Sequence, residues 1–394
     1  MMKKLFIVGA SILQLPAILT AKKMGLHVAV ADYNPRAIGI SCADVYYNVS
    51  TMDEKAICEA AKQYQPNGIM TLATDMPIRG VAMASEMLGL HSISYATAIK
   101  ATDKYCMIKA FKEHGVPSPW YYAVSSIDEL QELSERLTFP CIIKPTDNAG
   151  SHGVILVHGL DDLVDSYNYS RKYSRGGNVI IEEFLEGKEV SVEVMVIEGN
   201  VHILQITDKL TTGAPYFVEM GHSQPSQLSE EMQIKVCKVT VEAIQAIGID
   251  NGPAHVEMMI TVDGPVLIEL GARMGGDNIT TYLLPLSTGV DMVKATINMA
   301  LGERPDIKPT LRCGSAIRYI EAPLGIIRSI SGVEEARSIT GVERIIFTKS
   351  IGEESLPVCC SNDRVGFVIA QAENVDRAMK ICEKAIKMIK IETD

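Results

Sequence analysis

Over the first hundred positions, short apolar runs alternate with stretches of helical period. KLFIVGA, HVAVADYNP and GIMTLATD read as strands, the first buried on both faces. Between them, ILQLPAILTAKKMG, stopped by Gly25, and DEKAICEAAKQYQ carry apolar residues at helical spacing. That order predicts an open parallel sheet with crossover helices. Near residues 100 to 120 the pattern changes to one amphipathic helix in ATDKYCMIKAFKEHG, closed by a Gly and Pro break. Strands then arrive in antiparallel-looking groups: CIIKP, GVILV, NVIIEEFL, EVSVEVMVIEGNVHILQI and AHVEMMITVDGPVLIELG. The Glu-Gly-Asn and Asp-Gly turns inside the last two are hairpin signals. From about residue 306 a further strand-rich stretch, GSAIRYIEAPLGIIRSI, ends in the helix NVDRAMKICEKAIKMIK. The expected units are 1–100, 101–305 and 306–394, with no internal repeat and no low-complexity linker.

Composition limits the partners. With 394 residues, 47% of them hydrophobic, the chain can fill two or three cores. A formal net charge of −11 argues against attraction to nucleic acid or to an anionic membrane. No segment is long and apolar enough to span a bilayer, and the lysine-bearing start lacks a small-residue cleavage site. Nine cysteines without C-x-x-C spacing read as reduced thiols of a cytoplasmic protein.

Three stretches carry candidate chemistry. In CIIKPTDNAGSHGV an ammonium, Lys144, sits in an apolar strand, which is costly unless it reaches the surface or faces an anion. Gly150, Ser151 and Gly153 follow in a loop that can turn several backbone N–H groups toward phosphate oxygens. Because the lysine precedes the glycines and the loop joins two strands, it is a hairpin flap and not a Walker A loop. In VIIEEFLEGKEV, the residues Glu182, Glu183, Phe184 and Leu185 end one strand and Glu189 begins the next. This is either a charged edge or a purine hinge, with carboxylate and backbone for the base and Glu189 for ribose. In HVEMMITVDGPVLIELGAR, Glu257 and Glu269 lie on two strands joined by a tight turn and can stand side by side on one face. Two carboxylates there call for a cation, and Mg²⁺ shared with substrate phosphates suits them. Arg273 is four residues on, in reach of an anion. By contrast, Gly9-x-Ser11 falls short of the dinucleotide fingerprint, since Gln14 stands where its last glycine would be; a nicotinamide dehydrogenase would rest on Gly9 and Asp32 alone.

With these residues in hand, the chain resembles the ATP-grasp superfamily along nearly its whole length. The resemblance implies an α/β and α+β fold: a Rossmann-like N-terminal domain, a two-lobed ATP-grasp domain and a strand-rich C-terminal lobe. It implies ATP and Mg²⁺, with Mn²⁺ as a substitute, and an acyl phosphate on the way to product. By the same resemblance Lys104 and Lys144 bind phosphate, the NAGSHG flap covers it, and Glu182 to Leu185 hold adenine. Glu189 then takes ribose, Glu257 and Glu269 take the metal, and Arg273 is the catalytic arginine. Where many members have Glu-x-Asn-x-Arg this chain has Glu269-Leu-Gly271-Ala-Arg273, so the amide ligand for a second metal is missing.

TTGAPYFVEMGHSQPSQL and IELGARMGGDNI resemble the L-amino acid ligases, and the C-terminal stretch resembles the lobe those enzymes share with biotin carboxylase. The implied reaction joins a small-molecule carboxylate to an amine, both of them amino acids, with ADP and phosphate released. The loop 211–228 is expected to close over the acyl phosphate, and His222 and His255 to pack or orient substrate. A bicarbonate-using carboxylase, a purine-pathway enzyme or a non-catalytic ATP sensor would share the nucleotide residues; a homodimer is compatible with the sequence.

Overall fold

The computed structural model describes residues 2–148, 150 and 152–394. Among the described residues, four sheets organise the chain. The N-terminal sheet is parallel, with β1 (Lys4–Val8), β2 (His27–Ala31), β3 (Val45–Tyr47) and β4 (Gly68–Met70) in the order β3-β2-β1-β4. Its first two strands are buried except at their leading residues, as continuous apolar runs require when helices cover both faces. The helix Glu54–Tyr64 starts where the Asp53 side chain accepts the N–H of Ala56.

A small antiparallel lobe follows, built from β5 (Tyr121–Val124), β6 (Cys141–Pro145), β7 (Ile155–Val157) and β8 (Val179–Glu183) in the order β5-β8-β6-β7. Helix Leu163–Lys172 packs on it, with Tyr167 and Leu163 in the lobe's own core. The flap expected from the sequence is the connection between β6 and β7.

The central sheet has eight strands: β9 (Lys188–Ile197), β10 (Asn200–Thr211), β11 (Glu219–Gln224), β12 (Gly252–Thr261), β13 (Gly264–Gly271), β14 (Gly314–Ile320), β16 (Val342–Phe347) and β18 (Gly366–Ala372). Their order is β13-β12-β9-β10-β11-β14-β18-β16, so the C-terminal strands continue this sheet. The remaining strands, β15 (Gly325–Ser331), β17 (Glu354–Ser355) and β19 (Lys390–Thr393), form a small outer sheet. Alternation along β9 and β12 sends Val190, Val192, Val194, Val196, Val256 and Met258 to one face, fully buried against helix Glu230–Ile247. Each such side chain contributes about 1.5–3 kcal/mol by leaving water. The other face carries the residues between them, Glu189, Ser191, Glu193, His255 and Glu257, and there the site is built.

Candidate active site

Glu257 and Glu269 are directly opposed in the β12–β13 register. The register shifts immediately after Glu257, so Met258 pairs with Leu267. That bulge sends Leu267, 1% exposed, into the core while Glu269 keeps the site face, although residues two apart on a regular strand share a face. The charges of the pair are met by the protein's own cations. Lys209 Nζ donates to Glu257 Oε2 at 3.1 Å and to Glu189, and lies 3.6 Å from Glu219. His255 Nε2 meets Glu257 Oε1 at 3.0 Å while its Nδ1 meets Glu193 Oε1 at 2.9 Å. Lys104 Nζ donates to Glu269 Oε1 and to the carbonyl of Asn148, both at 2.8 Å.

Burial alone would strip charge from these groups, and their partners reverse that. Burial pulls the His255 pKa down, but Glu193 and Glu257 raise it to about 9, so it is a cation at neutral pH. Lys209 is likewise held far above its ordinary value by Glu189, Glu257 and Glu219. Glu257 stays well below the carboxylate range despite its burial, held there by Lys209 and His255. Glu189 goes the other way, since burial and the neighbouring Glu257 outweigh Lys209.

Lys144 is 6% exposed and its ammonium sits 2.5 Å from Glu182 on the neighbouring strand β8. The lysine therefore does not reach the surface; it faces an anion inside the small lobe. Next in the segment expected to hold adenine, Glu183 exchanges backbone and side-chain hydrogen bonds with Trp120, and Phe184 packs 6.0 Å from Phe217, which belongs to the loop expected to close. Leu185 is half-buried beside them. Gly153 has a φ of +80°, and a Cβ there would lie 2.8 Å from Tyr173 and 2.9 Å from Pro145, so the flap can fold back only with glycine. Gly150 also has positive φ, at +69°, and a Cβ there would meet only the His152 ring, at 3.6 Å. Ser151, expected in the same flap, lies outside the described residues.

Arg273 is gripped from the N-terminal unit. Its Nε and NH2 donate to the two carboxylate oxygens of Asp75 at 2.9 and 3.0 Å, a bidentate fork that fixes the guanidinium plane. A Cβ at Gly271 would lie 2.9 Å from both Arg273 Nε and Asp75 Oδ1. The space an asparagine would need at that position is taken by this ion pair.

Sequence reading missed Asp75, Glu193, Lys209 and Glu219, and a second buried group beyond them. Arg364 forks onto Asp277 at 2.7 and 2.9 Å, stacks 3.7 Å over the Tyr319 ring, and lies beside His222, whose Nε2 is 3.4 Å from Asp277. Asp277 and Asn278 both have positive φ, 49° and 64°, a strain that recurs at functional sites. Strict alternation along EVSVEV and HVEMM marks Glu193 and His255 as facing Glu257's side; nothing local marks Lys209 or Asp75.

For a divalent cation the chain offers Glu257 and Glu269. Among the described residues no group of three or more His, Cys, Asp or Glu side chains is arranged to hold a metal. A pair of hard carboxylates fits Mg²⁺, which takes one or two such ligands and completes its shell with phosphate and water.

A small antiparallel lobe and a charged sheet, with a strand-joining flap and lysines beside it, are the parts of an ATP-grasp domain, and the chain carries one. The model of the ATP-grasp domain matches residues 137–281, and that of L-amino acid ligase C-terminal domain 2 matches residues 318–394. The alanine–anticapsin ligase of Bacillus subtilis (strain 168) is 28% identical over 275 residues, 64% of this chain and 57% of that enzyme. A formate-dependent phosphoribosylglycinamide formyltransferase of Saccharolobus solfataricus is 24% identical over 408 residues, 99% of this chain and 97% of that one. The chain spans little more than half the length of some curated relatives, 58% and 57% in two of them. In fold it is similar to the crystal structure of L-amino acid ligase from Bacillus licheniformis, with a TM-score of 0.86, 24% identity and 100% and 99% coverage of the two chains. Among the described residues no helix is long and apolar enough to cross a membrane.

Proposed function

We propose that this protein joins the carboxylate of one amino acid to the amine of another, using ATP, through an acyl phosphate, with release of ADP and phosphate. The observation that carries the reading is the single sheet face on which Glu257 opposes Glu269, ringed by Lys104, Lys209 and the Asp75-held Arg273. The match to the L-amino acid ligase C-terminal domain supports amino acids as substrates.

The chemistry is an encounter of anions. A substrate carboxylate attacks the γ-phosphorus of ATP, and Lys104 and Lys144 lower the repulsion between them. Each lysine carries three donors, so it can keep its carboxylate partner and still contact phosphate. Glu257 and Glu269 would hold Mg²⁺, with Mn²⁺ able to substitute; the ion supplies positive charge against the phosphate oxygens. The hinge from Glu182 to Leu185 would receive adenine, Glu189 the ribose, and Gly150, Ser151 and Gly153 the phosphates. Closure of the flap and of the loop bearing Phe217 keeps water from the acyl phosphate. The amine then attacks the carbonyl carbon, and Arg273, oriented by Asp75, stabilises the oxyanion before phosphate leaves. We take 1–100, 101–305 and 306–394 as the working units, the cytoplasm as the compartment and a homodimer as a compatible assembly.

The full-length match to the formate-dependent formyltransferase supports one rival, an enzyme that activates formate or bicarbonate. Measuring ADP release with ATP and Mg²⁺ against amino acids, singly and in pairs, and against formate and bicarbonate, decides between them. Release that needs an amino-acid pair supports the proposal; release driven by formate or bicarbonate without an amino acid overturns it.

A further inference from the structure

A cavity of about 270 Å³ adjoins the site, between the N-terminal unit and the small lobe, with Lys104, Glu269 and Asp75 in its wall. Its acidic groups are all engaged. Glu269 is held by Lys104, Asp75 by Arg273, Asp147 by the N–H groups of Arg175 and Gly176 at 3.1 and 2.7 Å, and Glu54 by the Tyr95 hydroxyl at 2.6 Å. Two of its cations are in the opposite state. Among the described residues no carboxylate oxygen lies within 4.0 Å of the guanidinium of Arg79 or of Arg175. Arg79 donates Nε to Thr102 Oγ1 at 2.7 Å, and among the described residues no bond engages its two terminal nitrogens. Arg175 reaches from the small lobe to the N-terminal unit and places its terminal nitrogens 2.9 Å from Met52 Sδ and 3.0 Å from Met76 Sδ, with a further bond to the Asp147 carbonyl. Thioether sulfur is a weak acceptor, and a guanidinium fork is shaped for a planar or tetrahedral oxyanion. The Arg175 donors that face thioethers, and the terminal nitrogens of Arg79, are what an anion could engage at little cost.

We propose that Arg79 and Arg175 form a subsite for a second anionic group, a carboxylate or a phosphate, carried by one of the two substrates. The proposal rests on the ligase reading for where the substrate lies. Because the two arginines come from different units, a substrate bearing that group also draws the small lobe onto the N-terminal unit. An acidic substrate would thus be preferred over its neutral isostere.

The test compares glutamate with glutamine, aspartate with asparagine, and phosphoserine with serine, each offered with every other amino acid, in ADP-release assays. The enzymes are the parent, Arg79→Gln, Arg175→Gln and the double variant. A charge-assisted bond of ordinary strength predicts that the parent favours an acidic member by about 10- to 100-fold in kcat/KM. Each substitution should erase that preference while the neutral member is used as before. Arg79→Lys, which keeps charge without the fork, should recover part of it. Equal use of both members by the parent, or an equal loss on both in the variants, overturns the proposal. Should no pair turn over, the ligase reading fails by itself, and calorimetric titration of inorganic phosphate into the ADP-loaded protein decides the subsite. Binding by the parent that the double variant lacks supports an anion site there; equal binding by both overturns it. If phosphate binding is lost in the double variant but the parent turns over acidic and neutral members alike, the site belongs to free phosphate and the assignment to substrate is overturned.

Discussion

The two faces of β9 and β12 are made by the same strands and do opposite work. On one, Val190, Val192, Val194, Val196, Val256 and Met258 close against a helix and leave nothing exposed. On the other, one residue along, Glu193 and His255 are equally shielded, yet every one of their polar atoms has a charged partner. The difference is in how each face tolerates change. An apolar face loses stability in proportion to the volume removed. A network of buried charges fails as a unit, because removing one member strands the others.

The sharpest way to break this comparison is Lys209→Met. It leaves Glu189, Glu219 and Glu257 without their shared cation, and should cost about 3–5 kcal/mol of stability and nearly all activity, read by denaturant unfolding and ADP release. Arg273→Met should follow, with kcat lower by about 10² or more and ATP affinity near normal, since the residues proposed to anchor the nucleotide lie elsewhere. Gly271→Asn should act in the same direction with a smaller effect, by pushing the Arg273–Asp75 fork apart; its kcat is expected to fall while its Mg²⁺ dependence stays unchanged. On the apolar face, Val194→Ala should lower stability by about 2 kcal/mol and leave kcat and KM alone, the reverse of the Arg273 pattern. The smallest effect concerns Asp277. Burial would raise its pKa, but His222 and Arg364 hold it well below the ordinary carboxylate value of about 3.9. Its contribution is therefore present above pH ~4 and lost as pH falls through the depressed value. Melting curves of the parent and Asp277→Asn should stand apart at neutral pH, begin to draw together below pH ~4 and meet only below the depressed value.

What was legible in the sequence followed from local pattern. The opposition of Glu257 and Glu269 came from a two-strand turn, the flap from glycines behind a strand lysine, and the parallel sheet from alternating strands and helices. Lys209 was not legible, because its carboxylates come from β9, β11 and β12, and that strand order is set by long-range pairing. Asp75 and Arg273 are 198 positions apart and meet only when the N-terminal unit docks. The sequence left the neutralisation of the Glu257–Glu269 pair to a dication, whereas the fold already surrounds it with Lys104, Lys209 and protonated His255. The loop 211–228, expected to close, is strand β11 from Glu219 to Gln224, and that strand brings Glu219 to Lys209 and His222 to Asp277.

The central claim is that the carboxylate is activated as an acyl phosphate, and following oxygen tests it most directly. The substrate amino acid, labelled with ¹⁸O in both carboxylate oxygens, is turned over with ATP and Mg²⁺, and the released phosphate is examined by mass spectrometry. Transfer of one labelled oxygen into inorganic phosphate, with the other kept in the new amide, is the predicted result. Unlabelled phosphate in every turnover would contradict the account.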